Sequence, residues 1–269
     1  MGNTEGMMAP VDFEAFVDEL ASASGTAIMP FFRTALGIED KSDGSNFDPV
    51  TEADRAAEAA IRHKIRAMFP AHGVMGEEYG SERLDAEFVW VLDPIDGTKS
   101  FISGMVGWGT LIGLLRNGEP CYGMMHQPFT RERFSGDGGS AKYRGPLGER
   151  VMKTRSCAGL ADAVLYTTTP RLMEPPEQRR FAMIEEKVKL SRYGGDCYAY
   201  AMLSMGLIDL VIETNLQPYD IIALIPIIEG AGGVISTWDG GPAHAGGRIV
   251  AAGDARVHAA ALSLLQASY

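Results

Sequence analysis

The chain has 269 residues and a formal net charge of −11, with 46% hydrophobic and 22% charged residues. This apolar content is sufficient for one large domain spanning residues 1–269, with two closely joined halves divided at roughly residue 155. The negative charge argues against nucleic acid or an anionic membrane surface as a partner.

Cysteine usage and the N-terminal sequence predict a cytoplasmic protein. Cys121, Cys157 and Cys197 are odd in number and widely spaced, which argues against a disulfide framework. The first ten residues contain neither a basic patch nor an apolar core of the kind found in signal peptides. The longest apolar run, 221–228, is too short to span a bilayer.

The first third of the chain has helical periodicity. Apolar residues recur at helical spacing from Phe13 to Leu20, which predicts a first helix. A polar, turn-rich stretch at 41–49 follows. Thr51, with Asp54 three residues later, has the pattern of an N-cap and predicts the start of a second helix.

The middle of the chain predicts strands, and the last part predicts alternating strands and helices. Strand-like segments include 88–92, 110–115 and 120–126, the last two joined by an Asn-Gly hairpin turn. Beyond about residue 160, helices are predicted at 177–187, 197–205 and 220–231. This order of elements indicates a layered α/β or α+β sandwich: helices come first, mostly antiparallel strands follow, and strands alternate with helices at the end.

The run WVLDPIDGTKSF, residues 90–101, is the most informative stretch. The apolar strand 88–92 is followed by Asp93 and Asp96. Asp-Pro and Asp-Gly are ordinary turn dipeptides, so either aspartate alone has a structural explanation. Two hard oxygen ligands directly after an apolar strand favour a site for a divalent cation instead.

The residues around the two aspartates extend this interpretation. Pro94 fixes its own φ and pushes the chain out of the strand, which can turn the Ile95 carbonyl inward as a third oxygen ligand. The backbone amides of Gly97 and Thr98 lie where the chain turns and can hold an oxyanion. A site that combines oxygen ligands for a divalent cation with backbone amides for an oxyanion is suited to bind a phosphate group.

Other acidic residues have two explanations each. Glu77 and Glu78 form either a solvated turn, for which Gly76 permits a tight bend, or a source of one more carboxylate for the cluster. Asp220 precedes a very apolar helix and is either its N-cap or a fourth acid. Asp54 by itself is a capping residue.

Common catalytic motifs are absent from the sequence. There is no G-x-x-x-x-G-K-[ST], H-E-x-x-H, G-x-S-x-G or EF-hand spacing. The histidines have no metal-ligand spacing. These absences leave an all-oxygen metal site as the chemistry that the sequence supports.

Several segments together resemble the inositol monophosphatase family. They are GEE at 76–78, WVLDPIDGT at 90–98, YDIIALIPIIEGAGG at 219–233, DPVTEAD at 48–54 and Gly-Gly-Asp at 194–196. The resemblance covers most of the chain in matching order. It implies alternating α-β-α-β-α layers, as in the inositol monophosphatase and fructose-bisphosphatase type, and a magnesium-dependent, lithium-sensitive phosphomonoesterase that is a homodimer.

The resemblance also implies roles for individual residues. Two or three Mg²⁺ ions, or Mn²⁺ as a substitute, would be bound by five groups: the side chains of Glu77, Asp93, Asp96 and Asp220 and the carbonyl of Ile95. All-oxygen ligation fits these ions better than zinc.

The same resemblance places catalytic groups beside the metals. The amides of Gly97 and Thr98 would bind phosphate, with Asp96 and Asp220 also next to the substrate. Thr98 and Asp54, together with Glu77, would orient a metal-activated water for direct in-line attack. Lys41 matches a basic residue near the site.

The substrate interpretation depends on residues 192–213, which resemble the histidinol-phosphatase branch of the family more than the inositol branch. Asp196, after Gly195, and Glu213 could pair with the ammonium and imidazole groups of histidinol. Arg192 could reach a phosphate or fix an acid. The alternative for Asp196 is a helix N-cap.

We therefore expect a small phosphorylated metabolite as partner and L-histidinol phosphate as the substrate. The enzyme alternative is hydrolysis of inositol 1-phosphate or of related sugar and nucleotide phosphates. A different class, an inactive member that serves as a regulatory binding module, is disfavoured because every expected metal ligand is present.

Overall fold

The computed structural model describes residues 13–34, 38–40 and 49–267. Within these ranges, layers of helix and sheet alternate in the order α, β, α, β, α, which confirms the predicted sandwich. Helices α1 (Phe13–Ile28) and α2 (Glu52–Met68) form the first layer. Strands β1 (Ile38–Asp40) and β2 (Pro49–Thr51) pair antiparallel just before α2.

The larger sheet follows α2 in the chain. Its strands are β3 (Gly73–Gly76), β4 (Gly80–Glu82), β5 (Phe88–Asp96), β6 (Gly109–Arg116), β7 (Glu119–Gln127), β8 (Glu132–Gly136), β9 (Ala141–Gly145) and β10 (Gly148–Val151). Their order is β10-β9-β8-β7-β6-β5-β3-β4, and only the β3–β5 pair is parallel among these described strands. A short helix, α3 (Thr98–Ile102), follows β5.

The smaller sheet belongs to the second half of the chain. Its strands are β11 (Val164–Thr167), β12 (Leu190–Tyr193), β13 (Leu210–Leu216), β14 (Val234–Thr237) and β15 (Gly247–Ala252), in the order β12-β11-β13-β15-β14. The helices between the sheets are α5 (Asp196–Ser204), α6 (Pro218–Ile221) and α7 (Leu224–Gly230), and those on the outer face are α4 (Pro175–Glu185) and α8 (Ala255–Leu265). The predicted alternation after residue 160 is confirmed.

Apolar side chains fill the space between the layers. Phe16, Val17 and Leu20 of α1 pack with Trp90 of β5 in the first layer interface. A second cluster joins the larger sheet to α5, α7 and the smaller sheet. In the described ranges, no helix combines the length and apolar character needed to cross a membrane.

Two predicted elements differ from the structure. The strand predicted at 88–92 continues through Asp96 with an irregular register after Asp93, so Pro94 does not end it. The helix predicted at 220–231 starts earlier, at Pro218, and is divided into α6 and α7. Proline is favoured in the first turn of a helix, where its missing N–H has no partner to lose.

A row of glycines brings the α6–α7 segment close to the larger sheet. Gly113, Gly123 and Gly136 pair across β6, β7 and β8. A Cβ atom at Gly123 would lie 1.9 Å from the backbone oxygen of Ala223, and one at Gly136 would lie 2.5 Å from that of Pro226. Helix backbone therefore rests directly on sheet backbone.

We expect Gly123→Ala to destabilise the protein, because the added methyl group overlaps a backbone atom that can move only with its helix. Overpacking of this kind costs about 1–3 kcal/mol, measured as a change in the free energy of unfolding in urea. Gly159→Ala is the control, since Gly159 has an extended φ of 178° and open space around its Cβ position. Equal stability of both variants would contradict close helix–sheet packing.

Candidate active site

The two aspartates of the DPID segment face one cavity because β5 contains a bulge. Side chains three residues apart on a regular strand point to opposite faces of the sheet. Between Asp93 and Asp96 the register against β6 shifts by one residue, and both aspartates line the same cavity. The Thr110 hydroxyl, which shares a 2.7 Å hydrogen bond with Ser24, donates to the Pro94 carbonyl at 2.8 Å within the bulge.

Three carboxylates meet in this cavity and could hold a metal ion. Asp93, Asp96 and Asp220 each offer an oxygen, and these oxygens lie within 4.8 Å of one another. Oδ1 of Asp93 is buried and has no hydrogen-bond partner among the described groups. Glu77 and Ile95 line the same cavity. An unpartnered carboxylate oxygen among acidic neighbours fits a hard divalent cation.

The acidic cluster raises the pKa values of its own members. Burial raises the pKa of Asp93 well above its usual range, and the charges of Glu77, Asp96 and Asp220 add to the effect. Burial, with the charges of Asp196 and Asp220, does the same to Asp96. A bound cation would favour the ionised carboxylates and reverse this effect.

Helix termini hold two members of the cluster. The Cys197 amide, in the first turn of α5, donates to Oδ2 of Asp96 at 2.6 Å. Asp220 is the third residue of α6, and its Oδ2 accepts from the amide of the N-cap residue Gln217 at 2.7 Å. The interpretation of Asp220 as an N-cap is therefore wrong, because the helix begins at Pro218 and the reciprocal partner of the capping box is at its third position.

A buried ion pair from α2 holds the turn after Glu77. The Glu58 carboxylate accepts from the amides of Glu78 at 2.7 Å and Tyr79 at 3.2 Å. Arg62 donates to Glu58 at 2.7 Å and also to the Gly80 carbonyl. Glu77 itself lines the cavity, as the second explanation of the glutamate pair requires.

Gly76 has a different role from the predicted one. A Cβ atom there would lie 2.0 Å from Oε1 of Glu58. Glycine is therefore needed because the Glu58 carboxylate approaches the backbone at this point.

Asp54 and Thr98, the predicted pair for orienting water, have separate partners in the structure. Asp54 forms the capping box of α2, accepting from the Thr51 amide at 2.9 Å and the Thr51 hydroxyl at 2.6 Å. The Thr98 hydroxyl donates to the Ile95 carbonyl at 3.1 Å. Burial raises the pKa of Asp54 to about 6, although the hydrogen bonds from Thr51 oppose this shift.

Gly97 connects the metal cluster to the start of α3. Its φ of 85° is in the left-handed region, and a Cβ atom there would lie 2.9 Å from Oδ2 of Asp196. Both constraints favour glycine. The first amides of α3, beginning with Thr98, have no intrahelical acceptors and can bind an anion.

Two further carboxylates, those of Asp196 and Glu213, line the same cavity as the metal cluster and are called the acidic wall below. Asp196 accepts from the Ser100 hydroxyl at 2.8 Å, and Glu213 accepts from the Thr168 amide at 2.6 Å and hydroxyl at 3.0 Å. Burial raises the pKa of Glu213 to about 8 and also raises the pKa of Asp196. Asp196 is the first residue of α5 rather than its N-cap, which is Gly195.

Some predicted residues are not brought to this cavity. Arg192 is exposed on the edge strand β12 and is not among the residues that line the cavity. Neither Gly195 nor the predicted catalytic residue Asp54 is among the lining residues, although the charge of Asp54 contributes to the raised pKa of Asp93. Lys41 lies outside the described residues.

The cavity also contains residues that the sequence did not reveal, namely Lys99, Thr168, Asn215 and Tyr200. Thr168 directly follows β11, and a polar residue at the end of a strand is a usable signal. Asn215 has a φ of 63°, and asparagine is enriched in that conformation. Burial and the charges of Glu213, Asp96 and Asp220 raise the pKa of Tyr200 well above its usual range.

An α-β-α-β-α sandwich with carboxylates gathered beside the amides of a helix start defines a metal-dependent phosphatase. The profile of the inositol monophosphatase family matches residues 10–268, and the chain belongs to this family. It is therefore a hydrolase that acts on small phosphorylated compounds.

Individual relatives agree with this assignment. The chain is 44% identical over 265 residues to the bifunctional phosphatase IMPL2 of Arabidopsis thaliana, covering 94% of this chain and 75% of that protein. It is 34% identical to a histidinol-phosphatase of Chlorobaculum parvum, covering 80% and 82% respectively. An inositol monophosphatase structure from Zymomonas mobilis superimposes with a TM-score of 0.85 at 40% identity, covering 96% of this chain and 100% of that one.

We expect Glu58→Gln to weaken magnesium use as well as folding. Loss of the negative charge leaves the buried Arg62 with Glu82 as its remaining ion-pair partner, and losing one hydrogen bond between charged groups costs about 1.5–3 kcal/mol of unfolding free energy. Loosening the Glu77 turn should also raise the Mg²⁺ concentration needed for half-maximal phosphate release. Glu82→Gln is the control, because Glu82 contacts the same arginine at 3.4 Å from outside the turn. An unchanged Mg²⁺ requirement in Glu58→Gln would contradict the positioning role.

Asp93→Asn should separate stability from activity. Replacing a buried carboxylate that has acidic neighbours with an amide should raise the melting temperature in EDTA, while Mg²⁺-dependent turnover is lost. Because the folded-state pKa of Asp93 is raised, the wild type loses stability as pH rises through that pKa, so the difference should grow with pH. Undiminished turnover in Asp93→Asn would refute the metal assignment.

Proposed function

We propose that the protein hydrolyses L-histidinol phosphate to L-histidinol and phosphate. The observation that supports this substrate is the acidic wall of Asp196 and Glu213. These two carboxylates line the same cavity as the metal cluster but are not members of the cluster. The amino group of histidinol is cationic and gains charge-assisted hydrogen bonds from carboxylates. A neutral polyol such as inositol has no positive charge for the acidic wall to bind.

The comparisons support both this substrate and one alternative. Histidinol-phosphatase is the name of the relative in Chlorobaculum parvum, whereas the superimposed structure from Zymomonas mobilis is named an inositol monophosphatase. Inositol 1-phosphate, or a broader set of sugar and nucleotide phosphates, is therefore the second candidate.

The site residues divide the work of hydrolysis. Two or three Mg²⁺ ions, or Mn²⁺ in their place, would activate a water and neutralise the charge of the phosphate. Their proposed ligands are the carboxylates of Glu77, Asp93, Asp96 and Asp220 and the carbonyl of Ile95.

The remaining groups act on the phosphate and the water. The amides of Gly97 and Thr98 would bind phosphate oxygens at the start of α3. Thr98 and Asp54, with Glu77, would orient the water for in-line attack. The motif contains no Cys, His or Ser in the position of a nucleophile, so we expect no covalent intermediate.

The assembly and the location of the protein are also proposals. We expect one domain per chain and a cytoplasmic protein, as composition and cysteine usage predict, and a homodimer that lithium inhibits, as the family resemblance implies. Light scattering during gel filtration should give twice the chain mass of 29.0 kDa. A mass equal to one chain would exclude the dimer under those conditions.

A substrate comparison tests the proposed function. Phosphate release from histidinol phosphate and from inositol 1-phosphate is measured side by side, and we expect histidinol phosphate to have the higher kcat/KM. Asp196→Asn and Glu213→Gln should each lower kcat/KM for histidinol phosphate by about tenfold, the value of one charge-assisted hydrogen bond, and affect inositol 1-phosphate less.

The control for this comparison is Glu185→Gln. Glu185 accepts hydrogen bonds from Ser191 and Tyr193 outside the cavity, so its replacement should leave both substrates unaffected. An equal loss on both substrates in Asp196→Asn and Glu213→Gln would remove the proposed amine contact. A tenfold preference of the wild type for inositol 1-phosphate would reverse the substrate assignment.

A further inference from the structure

Tyr200 has a buried hydroxyl group that the fold does not use. The residue lies on α5, is 3% exposed and lines the cavity that contains the metal cluster. Its hydroxyl oxygen has no hydrogen-bond partner among the described residues. Burying a hydroxyl group without a partner is costly, so such a group needs an explanation.

The other buried polar groups indicate why the Tyr200 hydroxyl has no hydrogen-bond partner. Four side-chain atoms in the described ranges are buried without a partner, and two of them, Oδ1 of Asp93 and the hydroxyl of Tyr200, line this one cavity. The first is explained by a bound cation. By contrast, Tyr198 on the same helix donates to Glu132, so the helix can satisfy a tyrosine where only packing is required.

We propose that the Tyr200 hydroxyl donates a hydrogen bond to an oxygen of the bound phosphomonoester. The cavity around it is rich in carboxylates, including Asp96, Asp220 and Glu213, which can only accept when ionised. A phenol is a neutral donor at physiological pH, so it can bind a substrate oxygen without adding charge next to the metal ligands. Both substrates under consideration carry the phosphate ester, so the proposal rests on phosphatase activity and not on histidinol.

Tyr200→Phe removes this oxygen and little else. We expect kcat/KM to fall by about tenfold on the substrate that the wild type hydrolyses best, as one hydrogen bond to a charged group predicts. The inhibition constant for inorganic phosphate should rise by a similar factor. The melting temperature in EDTA should be equal or higher, because the variant no longer buries an unpartnered hydroxyl group.

Tyr198→Phe is the matched control on the same helix. It breaks the hydrogen bond to Glu132 and should lower the melting temperature while leaving kcat/KM and phosphate inhibition unchanged. If Tyr200→Phe instead loses stability and keeps its activity, the hydroxyl is structural and the proposal is wrong.

Two further measurements distinguish a hydrogen bond to the phosphate from an effect on the metal ligands and from a contact with the alcohol part of the substrate. A proportional rise in the half-saturating Mg²⁺ concentration of Tyr200→Phe would show that the hydroxyl acts through the metal ligands, which overturns the proposal. Unchanged inhibition by inorganic phosphate would place the contact on the alcohol part of the substrate, which also overturns it. The substrate preference of the enzyme affects neither test.

Discussion

Repulsion between like charges is the constraint that the architecture of this protein must withstand. Three carboxylates have oxygens within 4.8 Å of one another, and at an effective dielectric constant of 20 each fully ionised pair at that distance costs about 3 kcal/mol. The chain must therefore hold the acids in place until metal ions bind.

Three structural devices hold the four acids, and none of these devices depends on the metal. A bulge in β5 directs Asp93 and Asp96 into one cavity, a capping box holds Asp220, and a buried Glu58–Arg62 pair holds the turn after Glu77. These devices come from separate layers of the sandwich. A site built on rigid elements in this way is preorganised, so metal binding does not have to order the ligands.

The sequence predicted the layers and two members of the acidic cluster from local signals, whereas the family resemblance was needed to add Glu77 and Asp220. Apolar periodicity marks the helices and strands, and the DPID segment contains two of the clustered carboxylates within four residues. The supporting contacts have no such signal. The Glu58–Arg62 pair looks like any i, i+4 pair on an exposed helix, yet both residues are buried. By contrast, the partners of Asp54 and Thr98 are local. Asp54 accepts from Thr51 in the capping box that the spacing predicts, and the Thr98 hydroxyl donates to Ile95, three residues before it.

The glycine row on β6, β7 and β8 limits how proteins with this arrangement can diversify. Where helix backbone rests on sheet backbone, as at Gly123 and Gly136, a larger residue would overlap the helix. These positions of the strand–helix contact therefore tolerate only glycine. The opposite side of the cavity, built from α5 and β13, presents Asp196 and Glu213. New substrates would therefore be acquired by substitution on the smaller sheet and its helix, while the larger sheet retains the hydrolytic chemistry.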